Sequence, residues 1–185
     1  KEGKVIGFEP NPVTRKILKE NVELNKCENI TVEKLAVGSE CKSSKIYDRW
    51  DVNRGGASLI KPDFETDSYE IEETTLTDYF TNKQDIKLMK IDVEGYELEV
   101  LKGGTSLFKS DKAPIIIMEV SSKRKNSFGQ GVYPVYEFVH RTKNYRVFKS
   151  TKGKERISKL VEILDETQLP GHDNVYCFTN KHLTS

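Results

Sequence analysis

The stretch Lys87–Gly104 limits what this chain can fold into more than any other part of it. It opens with Leu88-Met89-Lys90-Ile91, an apolar run of strand length. Asp92 and Glu94 stand at the end of that run, and Gly95 follows, where a tight turn is permitted. Tyr96 to Lys102 are good helix formers, closed by Gly103-Gly104 as a helix C-terminus should be. The order is therefore strand, acidic loop, helix. In an open parallel sheet, ligands bind outside the carboxyl ends of the strands. Two acids placed there read either as a site or as carboxylates favoured by the positive end of the next helix. The local sequence leaves both readings open.

The rest of the chain alternates in the same way. Lys4–Phe8 is nearly all apolar, as a strand buried on both faces should be, and Glu9 ends it. Asn11-Pro12 predicts a helix start, with asparagine as the cap and proline in the first turn. The helix should run to about Asn25, with Val13, Ile17, Leu18, Val22 and Leu24 on its apolar face. Ile30–Val37 is expected to be one strand, completing a strand–helix–strand unit. Ser39–Gln84 is less regular, with short strands at Ser44–Tyr47 and Ser58–Ile60, β-branched residues in Tyr69–Thr75, and a short helix or turn at Leu76–Phe80. This reads as an antiparallel excursion inside a single domain, 1–185.

After the acidic stretch, Thr105–Ser110 is a short helix and Ala113–Val120 the most strand-like run, with Glu119 near its end. Ser121–Gly131 is a basic, glycine-containing loop carrying Lys123-Arg124-Lys125. A helix at Tyr133–Thr142, a strand at Tyr145–Phe148, a helix at Lys154–Glu166 and a last strand at Asn174–Phe178 complete the pattern. The helix at 154–166 rests on the spacing of Ile157, Leu160, Val161 and Leu164. The predicted class is α/β: a mostly parallel sheet with helices on both faces and an antiparallel last strand.

Composition excludes some functions. Over 185 residues the charge balance is +1, which does not suit a protein built on nucleic-acid backbone binding. No apolar run is long enough to span a bilayer, and the first residues carry no signal-peptide pattern. Cys27, Cys41 and Cys177 are odd in number and lack metal-ligand spacing, so no metal site is expected. Reduced thiols in a cytoplasmic protein are the reading that follows.

Glu9, at a strand end and fixed by Phe8-Glu9-Pro10-Asn11-Pro12, is placed to accept both hydroxyls of a ribose, as acids do in dinucleotide-binding folds. Read alone, a helix-proximal surface acid is the stronger reading. The series Gly7-Phe8-Glu9-Pro10-Asn11-Pro12, Leu35-Ala36-Val37-Gly38, Thr74-Thr75-Leu76-Thr77-Asp78-Tyr79-Phe80, Lys90-Ile91-Asp92-Val93-Glu94-Gly95-Tyr96-Glu97 and Leu101-Lys102-Gly103-Gly104 closely resembles the FkbM-type methyltransferases. The combination in this order is specific, and it covers nearly the whole chain.

That resemblance implies a Rossmann-like class I methyltransferase sheet and S-adenosyl-L-methionine as cofactor. It implies that Glu9 binds the ribose beside Pro10, and that Ala36 and Val37 lie by the adenine. Asp92 would face the transfer centre and hold the cofactor's amino group or the acceptor, with Glu94 in support. A hydroxyl acceptor needs its proton removed, for which Asp92, Glu94 and Glu119 are the candidates, Asp92 first because it stands directly at its strand's end. The acceptor is expected to be a small molecule, a sugar or nucleotide-linked sugar. Arg49, Trp50, Arg54 and His172 would line its pocket, under a helix at 154–166.

The family's first strand and glycine-containing cofactor loop would precede Lys1. The chain is therefore expected to be an incomplete, N-terminally truncated domain. Alone it should bind S-adenosylmethionine weakly or not at all and be inactive. Strands 4–9 and 87–92 should then be separated by a gap or apolar groove, or their pairing rearranged. The competing readings are an inactive remnant of such an enzyme and a nicotinamide-dependent oxidoreductase.

Overall fold

The computed structural model describes residues 3–48, 56–81, 85–121, 133–143, 145–152 and 158–184. Val5–Phe8 (β1) and Ile30–Glu33 (β2) pair in parallel and are joined by the helix Pro12–Leu24 (α1). The helix starts where the sequence requires. Asn11 is buried, and its Oδ1 accepts the amides of Val13 at 2.9 Å and Thr14 at 3.3 Å, satisfying donors the helix itself leaves open. No residue of α1 is fully buried, and Val13, Ile17 and Leu24 of its expected apolar face are exposed.

The strand expected over residues 30–37 is split. The chain leaves the first sheet after Glu33 and enters another at Ala36–Val37 (β3). Ala36 belongs to a small separate core with Ile46 and Ile71, and that packing decides its partner. There Lys42–Tyr47 (β4) and Ser68–Thr74 (β5) form a three-stranded sheet in the order β3-β5-β4, parallel at β3–β5 and antiparallel at β4–β5. Ser58 adds only an isolated bridge to Tyr47.

The helix Leu76–Tyr79 (α2) ties the first sheet to the rest. Tyr79 stacks edge-on with Phe8, ring centroids 4.8 Å apart, and donates its hydroxyl to Glu33 Oε1 at 2.8 Å. Burial and that carboxylate push the phenol up to about 12.

The third sheet holds the main core. Leu88–Ile91 (β6) leads through Glu97–Gly103 (α3) and Thr105–Lys109 (α4) to Ile115–Ser121 (β7), which pairs with β6 in parallel. Tyr133–Lys143 (α5), Arg146–Ser150 (β8), Leu160–Glu162 (β9) and His172–Phe178 (β10) follow. The order is β6-β7-β10-β8-β9, with every pair beyond β6–β7 antiparallel. Ile116, Met118 and Val120 of β7 alternate onto one face and pack with Val175 and Cys177 of β10 against α3, α4 and α5. The antiparallel last strand is as expected, but the sheets are mixed and not mostly parallel. β1 and β6 lie in different sheets, so the two strands expected to be separated are not paired.

Of the helix expected at 154–166, residues 154–157 lie outside the described residues, and residues 158–166 do not form it. Leu160–Glu162 is a strand on β8, and the residues that suggested a helix face do not make one: Leu160, Val161 and Leu164 are exposed while Ile163 is buried. Cross-strand pairing overrides a spacing that short segments meet by chance. β9 is also the far edge of the sheet from β6, so it does not cover the strand ends that carry the acids.

Gly103 and Gly104 are needed for space and not for a left-handed cap, since Gly104 has φ −103°. A Cβ on Gly103 would lie 1.9 Å from the Gly38 carbonyl oxygen, where α3 crosses the end of β3. Gly103→Ala gains about 1 kcal/mol in helix propensity, but backbone cannot yield as a side chain does. Net destabilisation of about 1–3 kcal/mol is expected, read as a lower urea midpoint. An unchanged midpoint would contradict this packing.

Candidate functional site

Register builds the site. Ile91 pairs with Met118 in parallel, so Asp92, the next residue, comes level with Glu119. Asn174 of the antiparallel β10 pairs with Glu119, and His172 with Ser121. Strand alternation puts Lys90, Glu119 and Asn174 on the sheet face away from α3, α4 and α5. Three segments far apart in sequence thus meet at one end of the sheet.

One carboxylate oxygen each of Asp92, Glu94 and Glu119 lies within 4.8 Å of the others. All three acids singled out in the sequence are therefore together. Glu119 is buried, Glu94 half-buried and Asp92 exposed. His172 Nε2 stands 3.8 Å from Glu119 Oε1. His172 stands two residues before the expected start of the last strand at Asn174; it is instead the first residue of β10, and that position brings it to the acids. Such a group of hard oxygen donors suits Mg²⁺ or Ca²⁺ better than zinc, although acids at a sheet edge commonly hold no ion. No metal-ligand spacing is visible along the chain because Glu119 comes from the neighbouring strand.

Lys90 and Asn174 were not singled out in the sequence. Lys90 Nζ donates to Asp92 Oδ2 at 3.1 Å and to Asn174 Oδ1 at 3.0 Å. The ion pair is roughly half exposed and adds little stability, but it fixes the direction of Asp92. The signal available was alternation: Lys90 is the polar member of an otherwise apolar strand, two residues before Asp92.

The turn after β6 is unusual in its backbone. Glu94 has φ 56° and Gly95 φ 99°, two successive residues on the left-handed side. The buried Ser58 donates its hydroxyl to the Glu94 carbonyl at 3.2 Å. Tyr96 donates its hydroxyl to Glu73 Oε2 at 3.1 Å, and Glu73 also accepts from Ser44. Glu73 is only 4% exposed, so these donors are what make its burial tolerable. A Cβ on Gly38 would meet the same carboxylate at 2.2 Å.

Glu9 sits immediately after β1 in a half-buried position. Its Oε1 accepts the Asn11 amide at 2.9 Å. Arg15 donates to the Glu9 and Pro10 carbonyls at 2.9 and 2.7 Å, which holds the turn in shape. Burial raises the Glu9 carboxyl above its usual range, against the Asn11 amide and the Arg15 charge. Among the described residues, Oε2 of Glu9 has no hydrogen-bond partner. A half-buried carboxylate with one open oxygen fits a ligand that brings hydroxyl donors, as a ribose does. Ala36 and Val37 lie in the three-stranded sheet, Ala36 buried and Val37 half-buried. Arg49, Trp50, Arg54 and the Lys123-Arg124-Lys125 run fall outside the described residues. His140 is in α5, its Nδ1 3.4 Å from the Tyr145 carbonyl oxygen, away from the acids in role. Cys27, Cys41 and Cys177 are free thiols.

The family described as Methyltransferase FkbM domain matches residues 1–151. Among solved structures, the crystal structure of methyltransferase FkbM from Methylobacillus flagellatus KT aligns with a TM-score of 0.53 at 15% identity. The alignment takes in 95% of this chain and 36% of that one, so the chain spans about a third of its length. At that identity the likeness is one of fold. Comparison with curated proteins finds no match. No helix among the described residues is long and apolar enough to cross a membrane.

Proposed function

The chain belongs to the FkbM methyltransferase domain family, and from that premise we propose that it transfers a methyl group from S-adenosylmethionine to a hydroxyl of a small molecule. The observation that supports this most is the meeting of Asp92, Glu94 and Glu119 at the strand ends. The proposed acceptor class is a sugar or nucleotide-linked sugar, because Lys90, Asn174 and His172 surround the acids with groups that hydrogen-bond hydroxyls.

When bound, S-adenosylmethionine supplies an electrophilic methyl carbon with a thioether as leaving group. Glu9 would hold its ribose through the open Oε2, with Pro10 keeping the turn rigid and Ala36 and Val37 beside the adenine. The rest of the work falls to the chain's own residues. Methyl transfer is a displacement, so holding the acceptor oxygen in line supplies most of the rate. Asp92, the exposed acid, takes the proton from the acceptor hydroxyl. Lys90 keeps that carboxylate aimed. The buried Glu119 orients His172, and Glu94 supports the group from within the same cluster of carboxylates.

Glu9 gives the test. Ribose hydroxyls donate to the charged carboxylate, so binding favours the ionised form. Because burial has raised this group, the free protein holds its proton above the usual carboxylate range. The raised carboxyl contributes stability that is present below the unfolded pKa and lost as pH rises through the folded one. Ligand affinity runs the other way, rising as pH climbs through the Glu9 titration and then levelling. Calorimetric titration of the full native chain with S-adenosylhomocysteine should show this rise. Glu9→Gln should abolish it and weaken binding about 10- to 100-fold, the loss expected from charge-assisted hydrogen bonds. A wild-type affinity that ignores pH, or an undiminished affinity in the variant, would remove Glu9 from the site.

A further inference from the structure

We infer that Glu97 is a positioning residue, whose carboxylate holds the Asp92–Tyr96 turn in the one backbone conformation that presents Asp92 and Glu94 together. Glu97 is the first residue of α3 and so reads, in sequence, as an acid complementing a helix N-terminus. Its side chain does something more specific. It bends back over the turn, and Oε1 accepts the Gly95 amide at 3.1 Å. The backbone N–H groups of Val93 and of Glu97 itself also stabilise the charged carboxylate. The amides of residues 93, 95 and 97, converging from a turn with left-handed residues, make a concavity that attracts an anion. Here the chain fills that concavity with its own carboxylate.

The need for such a holder follows from Glu94. A non-glycine residue at φ 56° is disfavoured and persists only when its surroundings fix it. Ser58 holds the Glu94 carbonyl, and the Val93 carbonyl accepts the Tyr96 amide at 3.2 Å. Neither contact fixes the Gly95 amide, which carries the second left-handed residue. Glu97 does. Burial raises its carboxyl, and the nearby Asp92 charge adds to that. The cost of placing a further acid beside Asp92 is the mark of a residue kept for geometry. The inference rests on the methyltransferase reading only for the purpose of the turn, since its test needs no substrate.

The test uses NMR on the full native chain, wild type against Glu97→Ala and Glu97→Gln. Two signals matter: amide exchange at Gly95, and the backbone chemical shifts and coupling of Glu94 that report its positive φ. In the alanine variant, Gly95 exchange should accelerate about tenfold or more and Glu94 should lose the left-handed signature, while amides in β7 stay protected. Glutamine, which keeps an acceptor oxygen, should restore most of both. Unchanged Gly95 exchange and an unchanged Glu94 signature in the alanine variant would overturn the inference. So would equal loss of protection throughout α3 in both variants, which would make Glu97 a general helix residue.

Discussion

Asp92→Asn is expected to lower the turnover number by about a hundredfold to ten-thousandfold, the contribution typical of a general base. Asparagine keeps the shape of the side chain and can still accept from Lys90, so the fold and the direction of the group survive. What is lost is the capacity to take a proton. Glu94 and Glu119 stand close by, but Glu119 is buried and Glu94 is bound to the conformation of its turn. Neither is placed as openly toward an incoming hydroxyl. Single-turnover kinetics with the protein's own acceptor would read the loss. If Asp92 also holds the cofactor's amino group, S-adenosylhomocysteine affinity falls as well, but by less than turnover. A variant with near wild-type turnover would pass the base role to Glu119 and His172.

Phe108→Ala is expected to cost about 3–5 kcal/mol, the range for removing a buried aromatic ring. Phe108 is 1% exposed and lies in α4, in the cluster formed with Leu101, Ile116 and Met118. Its ring fills the space above Gly104, where an added Cβ would meet Phe108 at 2.6 Å and Leu76 at 2.8 Å. The contact therefore joins α4, α2 and the end of α3, the helix that begins at the acidic turn. Domains have only about 5–15 kcal/mol of stability in all, so this one change removes a large share. Urea unfolding should show a much lower midpoint with little change in slope. A small shift would mean that the surrounding side chains collapse into the cavity.

The acidic site was readable where it depends on local order. Leu88–Ile91, then Asp92, Glu94 and Gly95, is a strand running into a turn, and the chain folds that way. Glu119 was readable as an acid near the end of a strongly β-forming run. Asn11 announced α1 through capping chemistry that needs nothing but its own neighbours. What depended on register was hidden. Lys90 and Asn174 meet only because β10 pairs antiparallel to β7 at one offset, and no single segment contains that offset. His172 lies two residues before the expected strand start at Asn174, and only its pairing with Ser121 puts it in β10.

Other differences have the same origin. Ala36 and Val37 look continuous with Ile30–Glu33, yet Ala36 packs with Ile46 and Ile71 and so joins another sheet. Leu160 and Val161 have helical spacing with Ile157 and Leu164, yet β8 offers a ladder and they take it. Gly103 and Gly104 were read as a helix terminus. They stand at one, but for reasons of space set by Gly38, Phe108 and Leu76, which lie elsewhere in the chain. Glu97 could not be told from an ordinary acid of a first helical turn until its hydrogen bond to Gly95 was seen.

The central claim is that Glu9 and the acidic strand ends serve S-adenosylmethionine and not a nicotinamide dinucleotide. Parallel titrations of the native protein, and not of residues 1–185 in isolation, with S-adenosylhomocysteine and with NAD test it most directly. The account predicts saturable binding of S-adenosylhomocysteine, weakened by Glu9→Gln, and no saturable binding of NAD. Binding of NAD with none of S-adenosylhomocysteine would contradict it.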